Sequence, residues 1–161
     1  MEIERKFLIA KTPDNLDSYP SHVIEQAYLC TAPVVRIRKR DDDYILTYKS
    51  AGLMCREEAE HPLTKEAYAH LLEKADYNVI TKRRYKIPEK DNLTIELDIF
   101  DGLFKGLVIA EVEFPDVESA NAYVPPSWFT KEVTNESTYH NSTLSQMESQ
   151  AICELLSQHL K

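Results

Sequence analysis

The sequence predicts an α+β protein in which a meandering antiparallel sheet is accompanied by a few helices. Two observations support this class. Eight stretches alternate apolar and polar residues, which is the period of a half-buried strand, and turn-forming residues separate them. Two further stretches repeat apolar residues every three or four positions, as amphipathic helices do. The 161 residues are expected to form one domain, residues 1–161.

The predicted strands follow one another with short turns between them. In chain order they cover residues 2–10, 22–31, 34–40, 44–50, 54–61, 78–87, 93–100 and 107–114, with a short strand at 131–135. Asp41-Asp42-Asp43 makes a hairpin of the third and fourth strands. Gly102 and Gly106, two of the three glycines in the chain, lie in the connection between the seventh and eighth strands.

The predicted helices lie after the fifth strand, after Asp116 and near the end of the chain. Thr64 is a suitable N-cap for the first helix, and Asp116 for the second. The last helix is expected from Ser142 onward. Its apolar stripe consists of Leu144, Met147, Ala151, Ile152, Leu155 and Leu156.

Composition excludes several classes of protein. The net charge of −8 disfavours a general nucleic-acid or anionic membrane surface, because such surfaces carry a basic excess. No apolar run approaches the roughly 20 residues of a membrane span. The three cysteines are widely spaced and form no C-x-x-C pair, which predicts a reducing, cytoplasmic location. The five scattered histidines, His22, His61, His70, His140 and His159, are expected in surface or packing roles.

Strand alternation places the charged residues on one face of the sheet and the apolar residues on the other. In the first strand Glu2, Glu4 and Lys6 share a face, and Ile3 and Phe7 lie opposite. Glu57 leaves the register of the fifth strand ambiguous by one residue, and we choose the parity of its neighbour Glu58. The charged face then also carries Arg36, Arg38, Arg40, Lys49, Arg56, Glu58, Glu60, Lys82, Arg84, Lys86, Glu96, Asp98, Glu111 and Glu113.

Two arrangements of this charged face are open. It faces bulk water while helices cover the apolar face, or the sheet curls into a barrel with the charges in a water-filled bore. The segregation of sign favours the bore, because Arg36 and Arg38 stand apart from Glu111 and Glu113. Arginines clamp phosphate oxygens, and clustered carboxylates need a cation between them. A polyphosphate bound with a divalent metal satisfies both demands.

Several motifs in this order resemble the CYTH proteins, also called triphosphate tunnel metalloenzymes, and the resemblance covers nearly the whole chain. The segment from Asn135 to Asn141 departs from the family, because relatives often place an acidic and a basic residue before the tyrosine. The motifs are Glu2-x-Glu4-x-Lys6, Gln26-Ala27-Tyr28-Leu29, Val35-Arg36-Ile37-Arg38, Leu46-Thr47-Tyr48-Lys49, Arg56-Glu57-Glu58-Ala59-Glu60, Lys82-Arg83-Arg84-Tyr85, Glu96-Leu97-Asp98, Ala110-Glu111-Val112-Glu113-Phe114 and Glu132-Val133-Thr134.

The resemblance implies an eight-stranded antiparallel β-barrel with a charged interior, flanked by a few helices, that acts on triphosphates with Mg²⁺ or Mn²⁺. The implied metal ligands are Glu2, Glu4, Glu111 and Glu113, with Asp98 as a weaker candidate. The implied phosphate ligands are Lys6, Arg36, Arg38, Lys49, Lys82 and Arg84. The implied remainder of the tunnel wall is Arg56, Glu58, Glu60 and Glu96.

The leading functional prediction is hydrolysis of inorganic tripolyphosphate to pyrophosphate and phosphate by a monomer or homodimer. Phosphoryl transfer chiefly requires positioning and neutralisation of charge. Glu2 and Glu4 are predicted to orient the attacking water beside Lys6, which makes these three the predicted catalytic residues. Adenylate cyclase activity and thiamine triphosphate hydrolysis are alternatives. A non-catalytic polyphosphate-binding module is disfavoured by the paired carboxylates.

The last helix has two alternative positions. Its apolar stripe packs on the outside of the barrel, or the helix covers one tunnel mouth and gates it, as the resemblance implies for some relatives.

Overall fold

The computed structural model describes residues 1–159, so the last two residues of the predicted domain lie outside this range. The strands are β1 (Glu2–Leu8), β2 (Ser21–Thr31), β3 (Val34–Arg40), β4 (Asp43–Lys49), β5 (Cys55–Arg56), β6 (Glu58–Pro62), β7 (Asp76–Pro88), β8 (Thr94–Asp101), β9 (Val108–Glu113) and β10 (Lys131–Glu132). The α-helices are α1 (Lys65–Leu72), α2 (Val117–Ala122), α3 (Asn141–Ser145) and α4 (Ser149–His159). Within residues 1–159, each helix is too short or too polar to cross a bilayer.

All strand pairs are antiparallel, and the sheet runs β10-β1-β9-β8-β7-β2-β3-β4-β6. The ring is closed by β5, which pairs with β1, while β6 pairs with β4. Because only Glu57 separates β5 from β6, the two pieces act as one interrupted strand. The predicted α+β barrel is therefore confirmed, and eight strands form the ring when β5 and β6 are counted as one. The predicted strand count is corrected to ten, because the fifth strand is broken and β10 is an additional short strand.

A tight turn after β4 explains the broken fifth strand. The Ser50 N–H donates to the Glu57 carbonyl at 2.9 Å, and the Glu57 N–H donates to Ser50 Oγ at 2.9 Å. Gly52, at φ +140°, lies so close to the Cys55 carbonyl that a Cβ atom would stand 2.2 Å from its oxygen. Only glycine fits this turn. The turn returns the chain to β1, which is what closes the barrel.

Two apolar clusters cover the outside of the barrel. In one, Ile3 and Phe7 of β1 pack with Val112 against α2 and the segment that contains Tyr123 and Phe129. In the other, α1 packs on β2 and β3. The predicted N-caps are confirmed, since Thr64 accepts from the Ala67 N–H and Asp116 from the Ser119 N–H.

A third apolar cluster lies at one end of the barrel interior. Leu8, Ile80 and Phe100 share the inward face of their strands with charged residues, and they pack against Leu144 of α3 and Ile152 of α4. The C-terminal helices therefore cover one end of the barrel. The bore of the barrel is therefore closed at this end by apolar side chains and does not run through the protein as an open tunnel.

The predicted last helix is divided into α3 and α4 by three residues. The Asn78 side chain on β7 donates to the Met147 carbonyl at 2.7 Å and reaches the Leu144 carbonyl at 3.5 Å. The Leu144 carbonyl also accepts from the Met147 N–H at 3.2 Å, so the Asn78 side chain chiefly supplies a donor to the Met147 carbonyl at the break in the helix. The break is thus anchored to the barrel wall.

Candidate functional site

The barrel encloses a cavity of about 250 Å³. Every predicted site residue except Lys82 and Asp98 lines it, and the side chains of opposite charge are interleaved there. The predicted residues that line the cavity are Glu2, Glu4, Lys6, Arg36, Arg38, Lys49, Arg56, Glu58, Glu60, Arg84, Glu96, Glu111 and Glu113.

Two cations engage the first carboxylate of β1. Lys49 Nζ donates to both oxygens of Glu2, at 2.7 and 2.8 Å, and Arg56 Nε donates to the same carboxylate at 3.2 Å. Glu4 lies farther from its cations, 3.7 Å from Arg56 and 4.0 Å from Lys6. These distances follow from the β1–β5 pairing, which sets Glu2 directly opposite Arg56.

Glu111 on β9 is paired with two buried cations. It accepts from Lys6 Nζ at 3.0 Å and from Arg84 Nη2 at 2.8 Å. Burial alone would raise its pKa, but Lys6 and Arg84 together hold the pKa of Glu111 well below its ordinary value. This side chain is therefore ionised across the physiological range.

Glu4 and Glu113 carry negative charge that the cavity compensates poorly. Burial raises the pKa of Glu4, and the neighbouring carboxylate of Glu111 raises it further. Burial likewise raises the pKa of Glu113, and the charges of Glu2 and Glu96 add to the effect. Raised carboxyl pKa values of this origin mark a place where an additional cation would be stabilised.

The wall formed by β3 carries cations without counter-ions. Among residues 1–159, no carboxylate oxygen lies within 4.0 Å of the guanidinium of Arg36 or Arg38. Arg38 instead donates to Gln26 Oε1, at 2.8 and 3.0 Å, and Arg36 to Thr47 Oγ1 at 3.2 Å. Burial and the like charge of Arg36 lower the pKa of Arg38. An anion bound here would relieve both effects.

The arginines of β3 and the carboxylates of β9 face each other across the barrel. In the ring of eight strands, β3 and β9 are four positions apart in either direction. The unpaired arginines of β3 therefore lie opposite Glu111 and Glu113 of β9. A ligand that bridges the cavity must meet cations on one side and carboxylates on the other.

Lys82 and Asp98 are brought together beneath the cavity rather than in its lining. Their side chains are 0% and 1% exposed, and Lys82 Nζ donates to Asp98 Oδ2 at 2.5 Å. Asp98 also accepts from Arg84 Nε at 2.6 Å and Nη2 at 2.7 Å. These contacts favour a buried ion pair that orients Arg84. The predicted phosphate and metal roles of Lys82 and Asp98 stay predictions.

A clamp outside the barrel fixes β1. The Arg5 guanidinium binds both carboxylate oxygens of Glu132, at 2.7 and 2.8 Å, and donates to the carbonyls of Ala120 and Tyr123. Thr134 Oγ1 accepts the backbone N–H of Lys6 at 3.0 Å. The Glu132-Val133-Thr134 motif therefore positions the strand that carries Glu2, Glu4 and Lys6.

The cavity includes residues that the sequence interpretation did not assign to the site. Strand alternation already placed Arg40 and Lys86 on the charged face without a role, and the inward parity of His22 on β2 is the signal that could have found it. His22 and His140 also line the cavity, where His22 Nδ1 lies 2.6 Å from Asp41 Oδ2, and the expected surface or packing roles of the histidines stay a prediction. The segment 140–142 follows an irregular stretch, and no periodic pattern indicates its position.

Comparison with known proteins agrees with this geometry. The CYTH domain model matches residues 1–149. The chain is 36% identical to an inorganic triphosphatase of Nitrosomonas europaea, covering 89% of this chain and 95% of the relative. It is 37% identical to an inorganic triphosphatase of Acetivibrio thermocellus, covering 89% and 92%. The crystal structure of an inorganic triphosphatase superposes with a TM-score of 0.70 at 32% identity, covering 92% of this chain and 96% of that chain. This chain belongs to the CYTH family.

Proposed function

We propose that this protein is a metal-dependent triphosphatase that hydrolyses inorganic tripolyphosphate to pyrophosphate and phosphate. The observation that carries the proposal is the polarity of the cavity. In the described part of the chain Arg36 and Arg38 have no carboxylate oxygen within 4.0 Å, while Glu4 and Glu113 carry poorly compensated negative charge. A metal–phosphate complex supplies both missing partners. The name of the two curated relatives, inorganic triphosphatase, supports the same reaction.

The size of the cavity supports an inorganic substrate. Pockets that enclose drug-sized organic ligands measure about 300–1,000 Å³. The cavity of about 250 Å³ is smaller, and an apolar cluster closes one end of the barrel. Its lining is dominated by charged side chains and offers little apolar surface to a nucleobase. A small polyanion suits this space better than a nucleotide.

The residues present fit Mg²⁺ or Mn²⁺. Hard divalent cations prefer carboxylate oxygens, and Glu2, Glu4, Glu111 and Glu113 provide them on two adjacent strands. In residues 1–159 no three such groups are already gathered around a point, because Lys and Arg side chains engage most of these carboxylates. When bound, the metal supplies positive charge to phosphate oxygens.

The chain's own residues perform the other steps. Arg36 and Arg38 bind phosphate oxygens through their planar donors and hold the polyphosphate across the cavity. Lys6 neutralises the charge that develops as the bridging P–O bond breaks. Glu4 orients a water molecule and accepts its proton, as expected for a carboxylate with a raised pKa. The water oxygen attacks the terminal phosphorus, and pyrophosphate leaves with the electron pair.

Phosphate release from tripolyphosphate, ATP and thiamine triphosphate, each with Mg²⁺ and with Mn²⁺, tests the proposal. We expect turnover of tripolyphosphate with either metal, and loss of turnover on addition of a chelator. Glu4→Gln is expected to lower kcat by about a hundredfold or more. The matched control is Glu66→Gln, since Glu66 is exposed on α1.

The other outcomes identify the alternatives. Formation of cAMP from ATP would indicate a cyclase, and preferred hydrolysis of thiamine triphosphate would indicate that substrate. Tight binding of tripolyphosphate without any turnover would leave a binding module. Full activity of Glu4→Gln at saturating metal would contradict the assigned role of Glu4.

A further inference from the structure

We propose that Gln26 is a positioning residue, which holds the Arg38 guanidinium at the cavity with a neutral acceptor and so leaves its positive charge to a bound phosphate. This inference rests on the proposed function, in which Arg38 binds phosphate oxygens. Gln26 lies in one of the sequence motifs, but the motif assigns it no role.

The strand register sets Gln26 against Arg38. The two residues lie directly opposite each other on β2 and β3, and both have the inward parity of their strands. Gln26 Oε1 accepts from Arg38 Nη2 at 2.8 Å and from Arg38 Nε at 3.0 Å. Because both bonds end on one oxygen, they fix the edge of the guanidinium that faces the wall, and the opposite edge is directed away from Gln26.

The Gln26 amide is itself fixed in this orientation. Its side chain is buried, and its Nε2 donates to the Tyr28 hydroxyl at 3.3 Å, so both ends of the amide have a partner. An amide turned end for end would present N–H groups to Arg38, which is only a donor. Arg38 lines the cavity and Gln26 does not. Gln26 therefore acts on a ligand through Arg38 and not by direct contact.

Arg38 differs from Arg84 in the charge of its partners. Arg84 donates to three carboxylates, those of Glu96, Asp98 and Glu111. In residues 1–159 no carboxylate oxygen lies within 4.0 Å of the Arg38 guanidinium. Glu25, the acidic residue of β2, has outward parity and accepts from the Tyr68 hydroxyl at 2.8 Å. The protein thus compensates the charge of Arg84 and leaves that of Arg38 without a counter-ion.

The neutral partner leaves a cost that a ligand would remove. Burial and the like charge of Arg36 lower the pKa of Arg38 to about 9, so its charged form is destabilised. Arg38 stays partly exposed and lines the cavity. A phosphate group would supply the missing negative charge, whereas a carboxylate at position 26 would supply it before any ligand binds. Glutamine therefore fixes the geometry and leaves the electrostatic attraction to the phosphate.

Steady-state kinetics of two variants on tripolyphosphate at saturating Mg²⁺ test the inference. Gln26→Glu keeps the shape and an acceptor oxygen but adds a counter-ion, so KM should rise about tenfold with kcat within about threefold. Gln26→Met removes the acceptor at nearly the same volume and should raise KM about fivefold. The matched control is Gln158→Glu, which is exposed on α4. A KM of Gln26→Glu within about twofold of wild type would overturn the proposal.

A double-mutant cycle shows whether Gln26 acts through Arg38. In an Arg38→Met background, Gln26→Met should change KM less than about twofold, because the side chain that it positions is absent. An equal effect in both backgrounds would overturn the inference and indicate a structural role elsewhere. If Gln26→Met lowers Tm so far that it cannot be assayed, Gln26→Glu, which has the shape of wild type, decides.

Wild-type turnover distinguishes the two levels of failure. If wild type hydrolyses tripolyphosphate and the Gln26 variants equal it, only the inference fails. An inactive wild type refutes the proposed function, and calorimetry of tripolyphosphate binding with Mg²⁺ then decides the role of Gln26. A Kd about tenfold weaker in Gln26→Glu would support that role, whereas equal Kd values, or no binding to either protein, would overturn it.

Discussion

Replacing Asp98 by asparagine tests whether this residue is structural or catalytic. The carboxylate bridges two buried cations, since Lys82 donates to it at 2.5 Å and Arg84 donates to both of its oxygens. Asparagine has nearly the same shape but no charge. Asp98→Asn therefore leaves Lys82, which is fully buried, without its principal counter-ion.

The expected loss of stability is large. Removing one partner of a buried ion pair costs about 3–5 kcal/mol, because the remaining charge stays desolvated. For a chain of this length, about 1 kcal/mol corresponds to a shift in Tm of roughly 2–4 °C. Asp98→Asn should thus lower Tm by roughly 6–20 °C. An exposed matched control, Asp14→Asn, should leave Tm nearly unchanged.

The loss should also depend on pH. Burial lowers the pKa of Lys82 to about 8 in the wild type, and removal of Asp98 lowers it further. Above about pH 8 Lys82 is neutral in the folded wild type and in folded Asp98→Asn. A buried, unpaired Lys82 charge then no longer destabilises the variant relative to wild type. The difference in unfolding free energy should therefore be larger at pH 6 than at pH 9.

Thermal unfolding at these two pH values, together with a metal titration of activity, measures the effect. A variant as stable as wild type that needs more metal for half-maximal rate would refute this reasoning. Asp98 would then be a metal ligand, as the sequence interpretation suggested.

Four further predictions concern His140, Arg5, Leu144 and the C-terminal helices. Burial lowers the pKa of His140 to about 4, below its ordinary value of 6.5, so stability should fall as pH drops from 6.5 to 4. In His140→Gln the free energy of unfolding should fall by about 1–2 kcal/mol less over this pH range, after allowance for solvent screening. Urea unfolding of both proteins at pH 6.5 and at pH 4 measures the difference. Arg5→Ala should cost about 2 kcal/mol in the same assay, because a bidentate pair and two carbonyl contacts are lost. Leu144→Ala should lower the free energy of unfolding by about 3 kcal/mol, because Leu144 is fully buried in the apolar cluster. Deletion from residue 141 onward should yield aggregated protein, because that cluster loses its cover. A soluble truncated protein with faster turnover would instead indicate that the C-terminal helices gate the cavity.

The face of each strand could be predicted from the sequence because alternation is a local property of the backbone. The fifth strand is an instructive case. Glu57 and Glu58 compete for the inward position, and the parity shared with Arg56 selected Glu58, which does line the cavity. The break at Glu57 does not alter this result, because β6 pairs with β4 so that Glu58 lies opposite Lys49 and Glu60 opposite Thr47.

Depth along the barrel could not be predicted in the same way. Lys82 and Arg84 have the same parity, yet only Arg84 reaches the cavity. The difference arises from the stagger of the strands, which sets Lys82 opposite Phe100 and Arg84 opposite Asp98. Pairing register is a long-range property, and a single strand's pattern does not contain it. The sequence did not indicate that residues 140–142 reach the cavity for a different reason, because an irregular stretch precedes them and no strand pattern sets their position.

The ion pairs of the cavity have a consequence for ligand binding. Glu2 is engaged by Lys49, and Glu111 by Lys6, so a metal that binds these carboxylates must displace lysines. The displaced lysines then become available to phosphate. Conversely, a phosphate that draws Lys49 and Lys6 away leaves Glu2 paired only with Arg56 and Glu111 only with Arg84, which makes both carboxylates more available to a metal. Each ligand therefore lowers the cost of binding the other, and linkage requires the two effects to be equal. On the proposed function, the interleaved charges of this cavity would thus favour a metal–polyphosphate complex over either ion alone.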